Sequence, residues 1–278
     1  MSALELRGRV LVVAGSDSGG GAGIQADIKT VTALGGFSAT AITAVTDQDT
    51  NAVHGVHALP PAFVAAQIGT VLSDIGADVI KTGMLGSIEV IDAVATAIDN
   101  LGADIPRVVD PVMVAKGGHR LISEDAVGEL KKRLISGATI VTPNLPEAEV
   151  LTGLEIKTVS DMDAAIDKLR QLSAKAVLLK GGHLEGDHIV DMLITDSAVQ
   201  KFEGRRIVSS STHGTGCTLA SAIAVSLAQN QSLATAVERA RDYVLTAIET
   251  APGFGSGHGP LNHGHTLNAD PYRDRAGS

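Results

Sequence analysis

The chain has 278 residues, 44% of them apolar and 2% aromatic, and a formal net charge of −9. That apolar share excludes a disordered chain, the scarcity of aromatics leaves Ala, Val, Ile and Leu to fill the core, and the acidic balance argues against nucleic acid or anionic membrane as partners. One Cys excludes an intrachain disulfide and fits a reducing cytoplasm, no apolar run reaches the length of a membrane span, and no signal peptide is expected ahead of the first strand.

The elements alternate along the chain. Val10–Ala14 reads as a strand, Gly15–Gly23 as a glycine-rich turn, and Ile24–Leu34 as a helix whose Ile24, Ile28, Val31 and Leu34 recur at helical spacing. Phe37–Val45 is rich in strand formers, Thr46–Asn51 is polar, and Ala52–Leu59 completes a small exposed strand flap at about 46–59. Pro60 and Pro61 open a helix to about Leu72, where a helix start tolerates proline. Val79–Lys81 is a strand and Ser87–Ala97 a helix. Val108–Val109 is a strand, followed by a glycine loop at Lys116–His119 and a helix from Ser123 to Leu134. Thr139–Thr142 is a strand, Pro146–Leu151 a short helix, and Ser160–Leu172 a helix with Ser160 and Asp163 near its start. Ala176–Lys180 is a strand, Ile189–Thr195 and Val199–Phe202 form a hairpin, and two helices span about Gly216–Ala228 and Leu233–Thr250. A Gly-, His- and Asn-rich tail from Pro252 reads as loose, above all at 268–278. Strands alternating with helices imply an α/β fold: one domain over 1–278, a mostly parallel sheet covered by helices, with ligands outside the carboxyl ends of the strands.

Four segments carry candidate chemistry. Ser211-Thr212-His213-Gly214-Thr215-Gly216-Cys217-Thr218 runs from a glycine-flanked loop into a helix, whose first N–H groups lack internal partners and so offer an anion site; the plainer reading is a tight turn. Cys217 at that helix start is expected to have a lowered thiol pKa and to serve as a proton acceptor, against the alternative of a buried small hydrophobe. The strand–glycine loop–helix from Ala14 to Asp27 can cradle a ligand, lacks a P-loop ending, and leaves Asp27 most simply as a solvated charge in the first helical turns. Asp110 and Glu147 follow strand ends, where Mg²⁺–nucleotide chemistry needs hard oxygen ligands; Asn144 as a helix cap and Glu147 as a first-turn acid are the structural alternatives. Lys180 ends a strand before two glycines and suits phosphate. His258, His263 and His265 lack the supporting acids or Cys of a metal site.

Taken together, AGSDSGGGAGIQAD, TAVTDQDT, KTGML, DPVMVAKGG, TPNLPEAE, LKGGH and THGTGCTL, in that order, resemble the hydroxymethylpyrimidine/phosphomethylpyrimidine kinases of thiamine biosynthesis, within the ribokinase-like superfamily. The resemblance runs from about Val10 to His265. It implies a cytoplasmic, homo-oligomeric enzyme using ATP and Mg²⁺ on a small pyrimidine. Gly15, Asp27, Gln48, Met84 and Val112 would hold the pyrimidine. Cys217 would take the hydroxymethyl proton, and Gly214, Thr215 and Gly216 would form the anion hole. Asp110, Asn144 and Glu147 would organise Mg²⁺ directly or through water, and Lys180 would meet ATP phosphate. Departures from the pattern are small: Ser211 stands where Asn is frequent. Ala115, directly before the Lys116–His119 lid, stands where a pyridoxal-kinase-like branch has a second Cys. Pyridoxal kinase is the near alternative; a nucleotide-dependent oxidoreductase and a non-catalytic binding protein are more distant ones.

Overall fold

The computed structural model describes residues 6–113, 122–184 and 186–267. The lid at Lys116–His119, with Ala115, and the tail at 268–278 lie outside them.

The strands are β1 (Arg9–Asp17), β2 (Phe37–Gln48), β3 (Val53–Ala58), β4 (Val79–Thr82), β5 (Arg107–Val109), β6 (Ile140–Val141), β7 (Ala176–Leu179), β8 (His188–Thr195) and β9 (Val199–Arg205). They form one sheet in the order β3-β2-β1-β4-β5-β6-β7-β8-β9. β2, β1, β4, β5, β6 and β7 are mutually parallel; β3 closes one edge antiparallel and the β8–β9 hairpin closes the other. Strand order reverses between β1 and β4, which places the binding crevice of such a sheet over their carboxyl ends.

Residues alternate between the two faces because the strand repeat is two. Leu11 and Val13 join a core under the helices α2 (Pro61–Asp74), α3 (Ile88–Leu101), α4 (Glu124–Leu130), α5 (Leu145–Thr152) and α6 (Val159–Arg170). Val10, Val12 and Ala14 face the opposite core, under α1 (Gly23–Ala33), α7 (Thr215–Ala228) and α8 (Leu233–Glu249). α7 is buried along almost its whole length, and its Ala220, Ala222 and Ala224 let the helix lie close to the sheet without large side chains.

The structure corrects several expected boundaries. β1 runs on to Asp17 and β2 to Gln48, so the glycine loop starts later and much of the polar stretch is strand. A register shift at Ala14/Ser16 absorbs the extra length. α6 is capped by Thr158, paired reciprocally with Asp161, instead of by Ser160 and Asp163. The predicted helix from Ser123 to Leu134 is α4, capped by Ser123, passing into a wider π-turn at Lys131–Ile135. The tail from Pro252 is not loose as far as 267. His213 forms a bridge with Pro260, His258 N–H donates to Thr50 O at 2.8 Å, and Leu261 and His263 are buried.

Candidate active site

A cavity of about 840 Å³ opens over the carboxyl ends of the central strands. Gly15, Gln48, Met84, Val112, Asp110, Asn144, Glu147, Lys180, Gly214, Thr215, Gly216 and Cys217 all line it. Asp27 does not.

At one end of the cavity Gly15 and Met84 lie side by side. A side chain at Gly15 would run into Met84 Cε, so glycine there makes room for the thioether. Thr43 Oγ1 donates to Met84 O at 2.7 Å and fixes that turn. Val112 stands on the turn after β5. Gln48, at the tip of β2, brings an amide to the same end.

Next to it is the anion loop. Gly214 caps α7 in the left-handed region at φ 79°, and a Cβ there would strike the Gly21 carbonyl. The two glycine loops are therefore pressed together, which only glycine permits. The first backbone bond of the helix is from Thr218 N–H to Gly214 O, so the N–H groups of Thr215, Gly216 and Cys217 precede the ladder and suit an anion. The Thr215 hydroxyl donates to Thr212 O at 2.7 Å and holds the loop's shape.

Cys217 lies at the start of α7 and receives a hydrogen bond from Gly23 N–H, the first residue of α1. Two helix starts thus meet at one sulfur. The expected lowering of its pKa is not found. Burial pushes the thiol up to about 12, with Asp27 and Asp110 adding to the push and the Lys81 ammonium opposing it.

Asp27 is not a solvated helix charge either. It is fully buried beside Lys81, whose Nζ donates to Asp27 Oδ1 and Oδ2 at 2.9 and 3.0 Å. The Ser221 hydroxyl, one helical turn beyond Cys217, donates to Asp27 Oδ1 at 2.7 Å. Burial raises the Asp27 carboxyl, opposed by Lys81 and Ser221. Burial also works against the charge on Lys81, but Asp27, Cys217 and Asp110 outweigh it and hold the amine protonated. Lys81, not Asp27, reaches the cavity wall. Sequence reading quoted KTGML but gave Lys81 no role. The signal was there: a lone Lys in the buried strand Val79-Ile80-Lys81-Thr82 requires a partner.

Beside the anion loop, where a Cβ at Gly216 would lie 3.4 Å from Lys180 Nζ and 3.7 Å from Asp110 Oδ2, Asp110 accepts from the Thr142 hydroxyl at 3.0 Å and from Lys180 Nζ at 3.3 Å. Glu147 Oε2 accepts from Asn144 N–H, and Asn144 Oδ1 from Glu147 N–H, both at 2.8 Å. The capping reading of this pair is therefore correct, and the cap itself is what aims Glu147 into the site. Burial pushes the Glu147 carboxyl up to about 7; Lys180 opposes the push and Asp110 adds to it. Lys180 is held protonated by Asp110 and Glu147 against burial. Its loop is anchored from behind: Gly181 N–H donates to Asp191 Oδ1, and Arg241 Nε to Asp191 Oδ2, each at 2.8 Å.

Asp17 and His213, also unassigned from sequence, meet at 2.8 Å on the cavity wall. His258 lines the cavity, whereas His263 and His265 make structural contacts. His263 Nε2 lies 3.0 Å from the Thr218 hydroxyl, and burial lowers its pKa to about 4; His265 Nε2 contacts Tyr243 O at 3.1 Å. No cluster of three or more His, Cys, Asp or Glu suited to a metal occurs among the described residues.

A parallel sheet whose cavity brings an anion loop at a helix start together with a cation and two carboxylates defines a phosphotransferase of the ribokinase-like fold. A pyridoxal kinase from Staphylococcus aureus in complex with AMP-PCP and pyridoxal has this fold, with a TM-score of 0.86, 34% identity and coverage of 97% of both chains. The family model described as phosphomethylpyrimidine kinase matches residues 17–262, and the chain belongs to that family. It is 46% identical to the hydroxymethylpyrimidine/phosphomethylpyrimidine kinase of Bacillus subtilis, over 92% of this chain and 94% of that one. It is 54% identical to the thiamine biosynthesis bifunctional protein ThiED of Geobacter sulfurreducens over 97% of its own length, and spans about half (54%) of that longer relative. No helix among the described residues is long and apolar enough to cross a membrane.

Proposed function

We propose that this chain transfers the γ-phosphoryl group of ATP to the hydroxymethyl oxygen of 4-amino-5-hydroxymethyl-2-methylpyrimidine, and then phosphorylates the resulting monophosphate to the diphosphate; relatives named hydroxymethylpyrimidine/phosphomethylpyrimidine kinase support this reading. The observation that supports this reading is one cavity lined by the Gln48 amide with the apolar Met84 and Val112, by Cys217 and the Gly214–Gly216 loop, and by Lys180, Asp110 and Glu147.

Met84 and Val112 would cover the faces of the ring, and the Gln48 amide would pair with its aminopyrimidine edge. Cys217 would take the hydroxymethyl proton. The N–H groups of the anion loop would hold the charge that develops on the transferring phosphoryl group. Lys180 would meet the nucleotide phosphates. Asp27 supports the pocket from beneath, through Lys81, and does not touch the ring.

Mg²⁺ fits beside Asp110 and Glu147. Asp110 and Glu147 are fewer carboxylates than an all-protein cage needs, which suits an ion that takes one or two carboxylates and completes its shell with phosphate oxygens and water. Burial, with Asp110 beside it, raises the Glu147 carboxyl to about 7, and a cation held there would favour its ionised form. Asp110 and Glu147 would hold the ion, which when bound would supply positive charge to the phosphates. Asn144 would act by holding Glu147 in place.

The experiment is steady-state kinetics with Mg-ATP on the pyrimidine, its monophosphate and pyridoxal, on one preparation. The pyridoxal-kinase reading has the fold of the Staphylococcus aureus enzyme in its favour. Equal or higher kcat/KM on pyridoxal would establish it in place of ours.

Two further outcomes are expected. Gln48→Leu raises KM for the pyrimidine by about 5–150-fold, the equivalent of about 1–3 kcal/mol for a lost buried pairing, with little change in KM for ATP. Equal weakening of both ligands would mark a folding defect instead. Lowering the pH through 7 protonates Glu147, because its pKa in the empty site is about 7. KM for Mg-ATP should therefore rise from pH 8 to pH 6, and Glu147→Gln should abolish that dependence. A wild-type profile flat over this range would count against Glu147 as a ligand.

A further inference from the structure

Asp17 sits at the end of β1 at the centre of the first glycine loop, 3% exposed. Its carboxylate accepts from Gly19 N–H at 2.8 Å, Gly21 N–H at 3.1 Å and Ala22 N–H at 2.8 Å, and pairs with His213 Nε2 at 2.8 Å. Burial works to raise its pKa, but the bonds from His213, Ala22 and Gly19 outweigh it and hold the carboxyl below its ordinary value. An ionised oxygen at 2.8 Å requires a hydrogen on His213 Nε2, since a bare ring nitrogen would repel it. His213 is fixed in turn by the glycine loop, because a Cβ at Gly21 would overlap its ring at 2.5 Å.

The same ring nitrogen faces Gln48. Gln48 Nε2 lies 3.3 Å from His213 Nε2, and Gln48 Oε1 lies 3.1 Å from the Thr46 hydroxyl. The first contact sets donor against donor. In the second, the Thr46 hydroxyl has a backbone acceptor of its own, Ser16 O at 3.0 Å, and with its hydrogen placed there acceptor faces acceptor. Turning the amide by half a revolution removes both conflicts: Oε1 then accepts from His213 Nε2–H, shared with Asp17, and Nε2 donates to Thr46 Oγ1. One lone pair of Oε1 and one N–H of Nε2 remain for the cavity, in fixed positions.

We infer that His213, held by Asp17, is a specificity-determining residue: it locks the Gln48 amide in one of its two orientations, so that the pocket accepts a ring edge with a donor beside an acceptor and rejects the reversed edge. The inference rests on Gln48 reading the pyrimidine. His213 acts through Gln48 and is a positioning residue.

The test compares two substrates in each variant: the 4-aminopyrimidine and its 4-oxo analogue, whose carbonyl and ring N–H present the reversed edge. The ratio of their kcat/KM values cancels any general effect on ATP or on the anion loop. The wild type should prefer the amino compound about a hundredfold or more. His213→Gln retains a donor near the Nε2 position and should keep that preference. His213→Met is matched to Gln in size but has no donor; its Gln48 amide is free to turn, and the preference should fall at least about tenfold. If the Met variant does not fold, Thr46→Val, which removes the other partner of the amide at nearly constant volume, should lower the ratio in the same direction. A folded Met or Val variant with the wild-type ratio overturns the inference while leaving the kinase reading intact. A wild type that phosphorylates both compounds equally overturns it as well. A wild type inactive on the aminopyrimidine overturns the kinase reading, and the inference falls with it.

Discussion

Replacing Cys217 with alanine is expected to lower kcat by about 10²–10⁴-fold, the usual cost of a lost general base, with ATP affinity retained. The sulfur lies where the N-termini of α1 and α7 converge and receives the Gly23 N–H. Those groups and Lys81 favour the thiolate, yet burial holds the thiol of the empty site at about 12. A base with so high a pKa is mostly protonated at neutral pH, and its active fraction grows as pH rises. The wild-type kcat should therefore climb with pH across the neutral range, and the residual rate of Cys217→Ala should lose that slope. Steady-state ATP consumption at saturating substrates measures both. Unchanged turnover would make Cys217 a packing residue.

Lys81→Met is expected to destabilise the protein by about 3–5 kcal/mol, because it leaves Asp27 buried without its counter-charge. The cost belongs to the orphaned carboxylate more than to a missing attraction. The double variant Asp27→Asn/Lys81→Met, neutral at both positions, should therefore recover much of the loss, since buried ion pairs contribute little over well-packed neutral groups. Denaturant midpoints of the wild type, the single variant and the double variant decide it. A double variant as unstable as Lys81→Met would show that the lysine stem, and not charge balance, holds this region together.

The sheet and most of the site were legible because their signals are local. The Gly15–Gly23 stretch, the Gly214-Thr215-Gly216 turn and the apolar strand runs each declare themselves within a dozen residues, and the order of the segments pointed to the family. What was missed depends on pairing across long separations. Asp17 and His213 are 196 residues apart, and Asp27 and Lys81 are 54 apart. Asp27 read as a solvated helix charge because nothing near it in sequence announces Lys81 or Ser221. The position of Cys217 at a helix start was correct, but the inferred pKa was not: a helix terminus can be read from sequence, whereas desolvation depends on what the fold lays over it. The tail read as loose from its Gly and polar content, and its anchors, Thr50 and Thr218, lie elsewhere in the chain.

The knot of Asp27, Lys81 and Ser221 also bears on how the protein folds. It joins α1, β4 and α7, elements separated by up to 194 residues, and α7 packs against the central strands. The first 200 residues can assemble local helices and neighbouring parallel strands, but until α7 docks, Asp27 and Lys81 have no lid and the Cys217 wall does not exist. Closing so long a loop is entropically slow, and folds dominated by such contacts acquire their native packing late. In a refolding experiment, recovery of activity should coincide with the last phase of backbone amide protection in α7, with no active species preceding it.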